Sequence, residues 1–374
     1  MSAAVWGMLG AALVLRALAL SPYEIGYSDE YMQYLEQGRR LATGHGIIPW
    51  EYRYGARNAL IPQIMALPQW LGLWWAPGTH LALWLARGLF AALASAGTLW
   101  GAWALGRATS ARHGLVALAA AGLWWESILF CDLMLSESIG ASLCLAAAAL
   151  LTGQRRPGRL ALAGLLLGLG VMARLQYGLF AAVLALWALW GADRRAWGAV
   201  VAGGLGAGLI GALSDVAMGQ TPFRWIAVNL AMNIDAGRAA RFGTEPAAYY
   251  LRLMLAHWGM AAPFLLAGAV FAASGAQGRR YRPLLAAALV SLAAHSLIAH
   301  KEYRFVWVSV LALVVLGGIG ALRWAEQRWP RNPRAVVAAL VAGLGALSWV
   351  AAQQSGGFAS MRGGAAITTL AVQA

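Results

Sequence analysis

Apolar runs long enough to cross a bilayer recur from one end of this chain to the other, parted by short loops rich in arginine. Inside hydrocarbon a backbone must satisfy its own hydrogen bonds, so unbroken apolar runs of about 20 residues are helices. The runs cover residues 3–20, 81–105, 114–131, 133–153, 160–173, 175–191, 197–218, 256–274, 284–299, 305–323 and 335–352. They predict about 11 transmembrane helices. The stretch 160–191 is short for two full spans, and is expected as two short or tilted helices around Arg174 or as one long helix. Only 11% of residues are charged, against about 25% in soluble domains, which excludes water-soluble α/β enzymes of this length. No low-complexity linker divides residues 1–374, so an all-α integral membrane protein with a single polytopic domain is expected. The run 3–20 ends at Ser21-Pro22 and carries its first basic residue, Arg16, within it, where a cleaved signal peptide would begin with one. It reads as a retained first span.

The loops give the chain two faces. The net charge is +14, and of 28 basic residues only Lys301 is lysine. With the N-terminus cytoplasmic, one set of loops holds Arg107 and Arg112, then Arg155, Arg156 and Arg159, then Arg194 and Arg195, then Arg279, Arg280 and Arg282, and finally Arg323, Arg328, Arg331 and Arg334. Short arginine loops on one side are the positive-inside signature. They record topology, so no nucleic-acid partner is expected. Of 14 acidic residues, only Asp193 and Glu326 fall in those loops. Glu24, Asp29, Glu30, Glu36, Glu51, Asp132, Glu137, Asp235, Glu245 and Glu302 gather at the other face, and Glu126 and Asp215 lie near outer span ends. Carboxylates weigh little in topology, so their concentration points to chemistry on the extracytoplasmic face. Cys131 and Cys144 sit in or beside apolar runs and form neither a disulfide framework nor a metal motif.

Three outer loops carry the polar chemistry. The first, 21–80, opens with Tyr27-Ser28-Asp29-Glu30-Tyr31. A surface helix is expected over Asp29–Ala42, with Tyr31, Tyr34 and Leu35 on one face and Ser28 as N-cap. Neighbours on a helix point about 100° apart, so one of Asp29 and Glu30 is expected to do chemistry and the other to orient it. The loop continues with Gly44-His45-Gly46, Pro49-Trp50-Glu51-Tyr52 and Arg57-Asn58. The second loop, 219–255, holds Pro222, Asn229, Asn233, Arg238, Arg241 and the turn Gly243-Thr244-Glu245-Pro246. The third, His300-Lys301-Glu302-Tyr303-Arg304-Phe305, places cations where an outer loop should be poor in them. Such a cluster suits a phosphate, arginine binding it bidentately and lysine as a point charge. Arg174, inside an apolar stretch, is a further candidate because an intramembrane arginine is costly; Glu126 and Asp215 carry the same suspicion at lower weight. Most of the 19 tryptophans suit interfacial belts. No nucleotide-binding motif is present to power a pump.

These residues, in this order, resemble the lipid-linked-sugar glycosyltransferases of the GT-C superfamily, and in particular glycosyltransferase family 22, the dolichyl-phosphate-mannose-dependent α-mannosyltransferases of GPI and N-glycan assembly. Asp29-Glu30, Gly44-His45-Gly46, Pro49-Trp50-Glu51, Arg57-Asn58 and Pro62 match the family's first loop. Asp215, Gly219, Asn229, Asn233 and Phe242-Gly243-Thr244-Glu245-Pro246 resemble its second, and His300-Lys301-Glu302-x-Arg304-Phe305 matches its third. Tyr27-Ser28 stands where the family has His-Pro, and Pro49 where it has Thr. The Ala-, Gly- and Arg-rich composition suggests a bacterial member, placed as a multi-pass protein in the inner membrane with its site on the periplasmic side.

The resemblance implies transfer of a hexose, as in mannosyltransferases, from a polyprenyl-phosphate donor to a glycan or lipid acceptor, with membrane lipids as the surroundings. Asp29 is then the candidate base and Glu30 its partner. His300, Lys301, Arg304, Arg57 and Arg174 face the donor phosphate, while Glu51, Trp50, Tyr52, Glu302, Asn229 and Asn233 face substrate. No cofactor and no metal are expected, although His45 and the nearby carboxylates leave a divalent ion open. Two other readings of the same motifs stay open: a transporter or flippase of a lipid-linked sugar, and a non-catalytic assembly subunit.

Overall fold

The computed structural model describes residues 2–21, 24–235 and 239–357; Pro22 of the expected break and Arg238 of the second loop lie outside them. All regular structure among the described residues is helical. The first helix α1, Ala3–Ala19, leads into a loop holding a π-helical turn, Glu30–Leu35, and three helices, α2 Glu36–Thr43, α3 Trp50–Arg53 and α4 Leu60–Trp75. The bundle continues with α5 Leu81–Arg107, α6 Ala111–Leu123, α7 Trp125–Asp132, α8 Ser136–Thr152, α9 Pro157–Ala173, α10 Gly178–Ala188 and α11 Arg194–Ala217. A short α12, Arg224–Leu230, precedes α13 Tyr249–Trp258, α14 Ala262–Ala273, α15 Arg282–Leu297, α16 Trp307–Arg328 and α17 Pro333–Ser355.

Each expected apolar run is helical, but their lengths differ. Among the described residues, five helical segments, Leu81–Arg107, Arg194–Ala217, Tyr249–Ala273, Tyr303–Arg328 and Pro333–Ser355, are long and apolar enough to cross a membrane alone. A sixth qualifies if α6 and α7, bent by 60° at Trp124, count as one span. The stretch around Arg174 resolves into two helices, with Arg174 extended (φ −143°, ψ 103°) between α9 and a 3-10 turn, Leu175–Tyr177. α16 is the central helix: nearly every residue from Trp307 to Gly320 is buried, against α6, α8, α14, α15 and α17. A helix apolar on all sides belongs in such a position.

The first loop departs from the expected helix. The π turn slips the side-chain register, so Tyr34 and Leu35 are buried while Tyr31 is exposed, and the three do not share a face. The chain entering that turn is capped by Glu30, not Ser28: Glu30 Oε1 accepts the N–H groups of Gly26 at 2.7 Å and Tyr27 at 3.0 Å. The first loop is expected to bear amphipathic surface helices, and α4 is one whose bounds the sequence did not mark. It buries Ile61, Met65, Gln69 and Gly72 and exposes Leu67, Trp70, Trp74 and Trp75, the pattern of a helix lying in a membrane interface.

Helix ends on one side of the bundle are closed by the loop arginines. Arg159 donates to Ala149 and Leu150 of α8, Arg155 to Ala188 of α10, Arg323 to Phe271 and Ala272 of α14, and Arg280 to Ala108 beyond α5. A guanidinium there satisfies orphan carbonyls and meets the negative end of the helix dipole. Because α8 runs away from Glu137 toward this end and α9 returns from it to Arg174, the residues grouped below occupy the opposite end.

Glycine sets the close approach of α9 on α11. A Cβ at Gly203 would collide with the Ala161 carbonyl, and one at Gly164 with that of Val200. Gly203→Leu is therefore expected to destabilise the detergent-solubilised protein by about 1–3 kcal/mol, read as a lowered thermal midpoint. A midpoint equal to wild type would show that α11 can shift without cost.

Candidate active site

Four separate segments bring charge to one place. Arg304, from the 3-10 turn Tyr303–Val306 that opens α16, is 7% exposed. Its Nη2 lies 2.7 Å from Asp29 Oδ2, its Nε lies 2.7 Å from Glu302 Oε2, and the same Nε is 3.6 Å from Glu137 Oε1. Arg174, at the break after α9, closes the array with its Nη2 3.2 Å from the same Glu137 oxygen. Aromatic faces line the cations: the Tyr27 ring lies 4.6 Å from the Arg304 guanidinium carbon, and Phe305 packs between Arg174 at 4.7 Å and Arg304 at 5.5 Å. Arg57 donates to the Tyr34 hydroxyl at 3.0 Å and leaves its buried Nε without a hydrogen bond.

Asp29 and Glu30 have different surroundings. Asp29 is partly open to solvent. Burial works to raise its carboxyl, but Arg304 and then Arg57 outweigh it, holding the group below the usual carboxylate value. Glu30 is fully buried. Besides capping the chain at Gly26 and Tyr27, it accepts the N–H of Met134 at 2.9 Å and lies 3.6 Å from Arg87. Burial raises its carboxyl above the usual value, opposed by Arg87 and the backbone N–H groups. Its geometry is that of an anchor for the Asp29 loop. Arg87 extends the anchor by donating to the Glu24 carbonyl at 2.9 Å and pairing with Asp132 at 3.8 Å.

The remaining candidates sit around this core. Glu51 accepts from Gln33 at 2.6 Å, and burial raises its carboxyl. The Tyr52 hydroxyl donates to the Gln33 carbonyl at 3.0 Å, and Trp50 begins the same short helix, α3. Asn229 donates to the Ala56 carbonyl at 3.2 Å, and Asn233 lies on a π-helical turn beyond α12. His300 bonds the Gly243 carbonyl at 2.9 Å and Glu302 at 3.2 Å. Lys301 directs its ammonium at main-chain carbonyls, those of Ile298 at 2.5 Å and Glu245 at 2.6 Å, while Glu245 N–H bonds the Ala299 carbonyl at 2.9 Å. The first two residues of the third motif thus pin the Gly243-Thr244-Glu245-Pro246 turn, and Arg304 reaches Asp29. Asp215 accepts from Asn58 at 2.9 Å and from the Phe223 N–H at 2.8 Å, tying the second loop to the first.

Sequence reasoning counted Glu137 among the outer carboxylates without giving it a role. It is buried and shared by both arginines. The signal was a carboxylate at the start of an apolar run, costly unless paired. Among the described residues no three His, Cys, Asp or Glu side chains converge as a metal-binding set, and His45 instead bonds the nearby Thr43 carbonyl at 2.9 Å. Arg174→Ala would leave Glu137 buried beside a single distant guanidinium, at an expected cost of about 3–5 kcal/mol in stability. Thermal denaturation checks it, and the double substitution Glu137→Gln with Arg174→Gln should cost less than Arg174→Ala alone.

Comparison with known proteins bears on this arrangement. The crystal structure of ArnT from Cupriavidus metallidurans bound to undecaprenyl phosphate superposes with a TM-score of 0.59 at 15% identity, covering 99% of this chain and 76% of that one. An oligosaccharyltransferase from Archaeoglobus fulgidus, in complex with Zn and sulfate, superposes with a TM-score of 0.58 at 14% identity over 94% of this chain and 53% of that one. The fold is therefore of the GT-C membrane type. GPI mannosyltransferase 3 of Trypanosoma brucei brucei is 32% identical over 89 residues, a stretch covering 24% of this chain and only 16% of that relative. A family model matches residues 8–362, nearly the whole length, and the chain belongs to the Alg9-like mannosyltransferase family.

Proposed function

We propose that the chain is an inverting glycosyltransferase that moves a hexose, mannose by family likeness, from a polyprenyl-phosphate donor to a glycan or lipid acceptor at the extracytoplasmic face of a bacterial inner membrane. The observation that carries this reading is the 2.7 Å pair between Asp29 and Arg304, a candidate base held by a candidate phosphate ligand. Family membership supports the reaction class. The undecaprenyl phosphate in the ArnT structure supports the donor class. The arginine-capped helix ends opposite the site support its outward placement.

Asp29 removes the proton of the acceptor hydroxyl, whose oxygen attacks the anomeric carbon from the face opposite the phosphate. The bond from that carbon to the phosphate oxygen breaks, and polyprenyl phosphate leaves as an anion. Arg304 and Arg174, with Arg57 nearby, stabilise the leaving charge, usually the largest catalytic contribution. His300 and Lys301 hold the second loop in place, and Lys301 adds positive potential at one remove. Glu30 fixes the Asp29 loop, while Glu51, Trp50, Tyr52, Glu302, Asn229 and Asn233 border the substrate. Without donor, the carboxylates of Asp29, Glu137 and Glu302 balance the three arginines. An arriving phosphate competes for Arg304 and releases Asp29 as a stronger base. No step calls for a metal.

Purified protein supplied with radiolabelled polyprenyl-phosphate mannose and a panel of glycan and lipid acceptors should form a covalent product, at a rate unchanged by EDTA. Passage of intact lipid-linked sugar across proteoliposomes without a product would establish the transporter reading instead. Asp29→Asn should lower transfer by about 10²–10⁴-fold with folding unchanged; normal turnover would remove Asp29 as the base. The pH profile follows from the ion pair. Free Asp29 is held below the usual carboxylate value, so kcat/KM for donor falls only when acid reaches that lowered value. Phosphate draws Arg304 away in the complex, so the acidic limb of kcat should lie at higher pH. Coincident limbs would argue against competition for Arg304.

A further inference from the structure

Another buried carboxylate, Glu126, lies outside the charged array. Glu126 is fully buried, and its two oxygens receive four side-chain donors. Oε1 accepts from the Tyr303 hydroxyl at 2.7 Å and meets His257 Nδ1 at 3.0 Å. Oε2 accepts from the indole N–H of Trp258 at 2.8 Å and of Trp124 at 2.9 Å. Among the described residues no arginine or lysine pairs with Glu126, so hydrogen bonds and His257 alone offset its desolvation.

The backbone is broken to deliver this side chain. The 60° bend between α6 and α7 leaves carbonyls and an N–H without helical partners, and side chains from two other helices take them up. Arg16 of α1 donates to the carbonyls of Ala121 and Gly122, each at 3.0 Å. Ser348 of α17 donates to the Leu123 carbonyl at 2.8 Å and accepts from the Trp125 N–H at 2.7 Å. The bend is thus a built feature, and Glu126 lies just past it.

One of the four donors belongs to the third motif. Tyr303 opens a 3-10 turn, with Glu302 as its N-cap and Arg304 following it on the turn. Its hydroxyl is tied to Glu126, and its ring packs edge-on against His257 with centroids 4.4 Å apart. Fixing the Tyr303 side chain at both ends fixes the rotation of a turn too short to hold itself. Arg304, leaving the same turn in another direction, is thereby aimed at Asp29, with Glu302 bracing its guanidinium.

We propose that Glu126 is a positioning residue which, through the Tyr303 hydroxyl, sets the orientation of Arg304 toward the donor phosphate. This rests on the proposed transfer from a phosphate-linked donor. A side chain with a merely structural role would lower stability without separating the two substrates; one that aims Arg304 acts on the phosphate.

The decisive variant is Tyr303→Phe, which removes one oxygen and keeps the ring packing. It should raise KM for the donor about 10-fold, weaken binding of farnesyl phosphate by a similar factor, and leave acceptor KM within twofold. Glu126→Gln, nearly the same shape but with an amide N–H₂ facing two donors, should shift the same two quantities further. If it does not fold, Tyr303→Phe still decides. Donor KM and farnesyl phosphate affinity within twofold of wild type in Tyr303→Phe would overturn the positioning role, as would equal increases in donor and acceptor KM. Wild-type protein that neither binds farnesyl phosphate nor transfers sugar would instead overturn the phosphate-donor reading, and this inference with it.

Discussion

The Arg304 guanidinium is nearly buried and is met by three carboxylates, Asp29, Glu302 and Glu137, two of them at 2.7 Å. A charge in so apolar a body is tolerable only when it is paired and hydrogen-bonded, and that requirement organises the site end of the bundle. Glu137 must stand where α8 begins so that it can serve Arg304 and Arg174 together. Arg174 must interrupt the helical stretch so that its side chain can reach Glu137. Asp29 must be held against the bundle, which Glu30, Arg87 and Asp132 do from beneath. A loop more than 50 residues long is thereby registered against a motif near residue 300 by a few charge-assisted contacts.

The same requirement separates scaffolding arginines from the others. Arg16, Arg159 and Arg323 direct their N–H groups at the carbonyls of helix ends. Such contacts repair the backbone and leave nothing for a ligand to gain. Arg304 and Arg174 are held instead by carboxylates, which a phosphate can partly replace. What surrounds a buried cation, more than its depth, tells which kind it is.

The first and third motifs, adjacent in space, divide their labour. Asp29 and Arg304 meet each other, while their sequence neighbours face elsewhere: Glu30 toward backbone N–H groups, Lys301 toward carbonyls, Tyr303 toward Glu126. On the proposed mechanism, each motif is one reacting residue flanked by its own mounting. Replacing the mounting would displace the reacting group without touching it.

The amino-acid sequence by itself determined the membrane class, the helical identity of each apolar run and the two-faced distribution of charge, because these follow from hydropathy and from which side chains the bilayer admits. It also marked Asp29, Arg304 and Arg174 as charges needing an explanation. The tertiary structure alone decided that Glu137 joins Arg304 to Arg174, that Lys301 and Glu30 support the backbone, that Glu126 collects four donors, and that α4 is a helix with an exposed tryptophan face. It also decided which runs are long enough to span alone. The physical reason is common to these cases. A carboxylate or ammonium has the same composition whether it faces a ligand or a neighbouring main-chain group, and only the packing of distant segments supplies the partner.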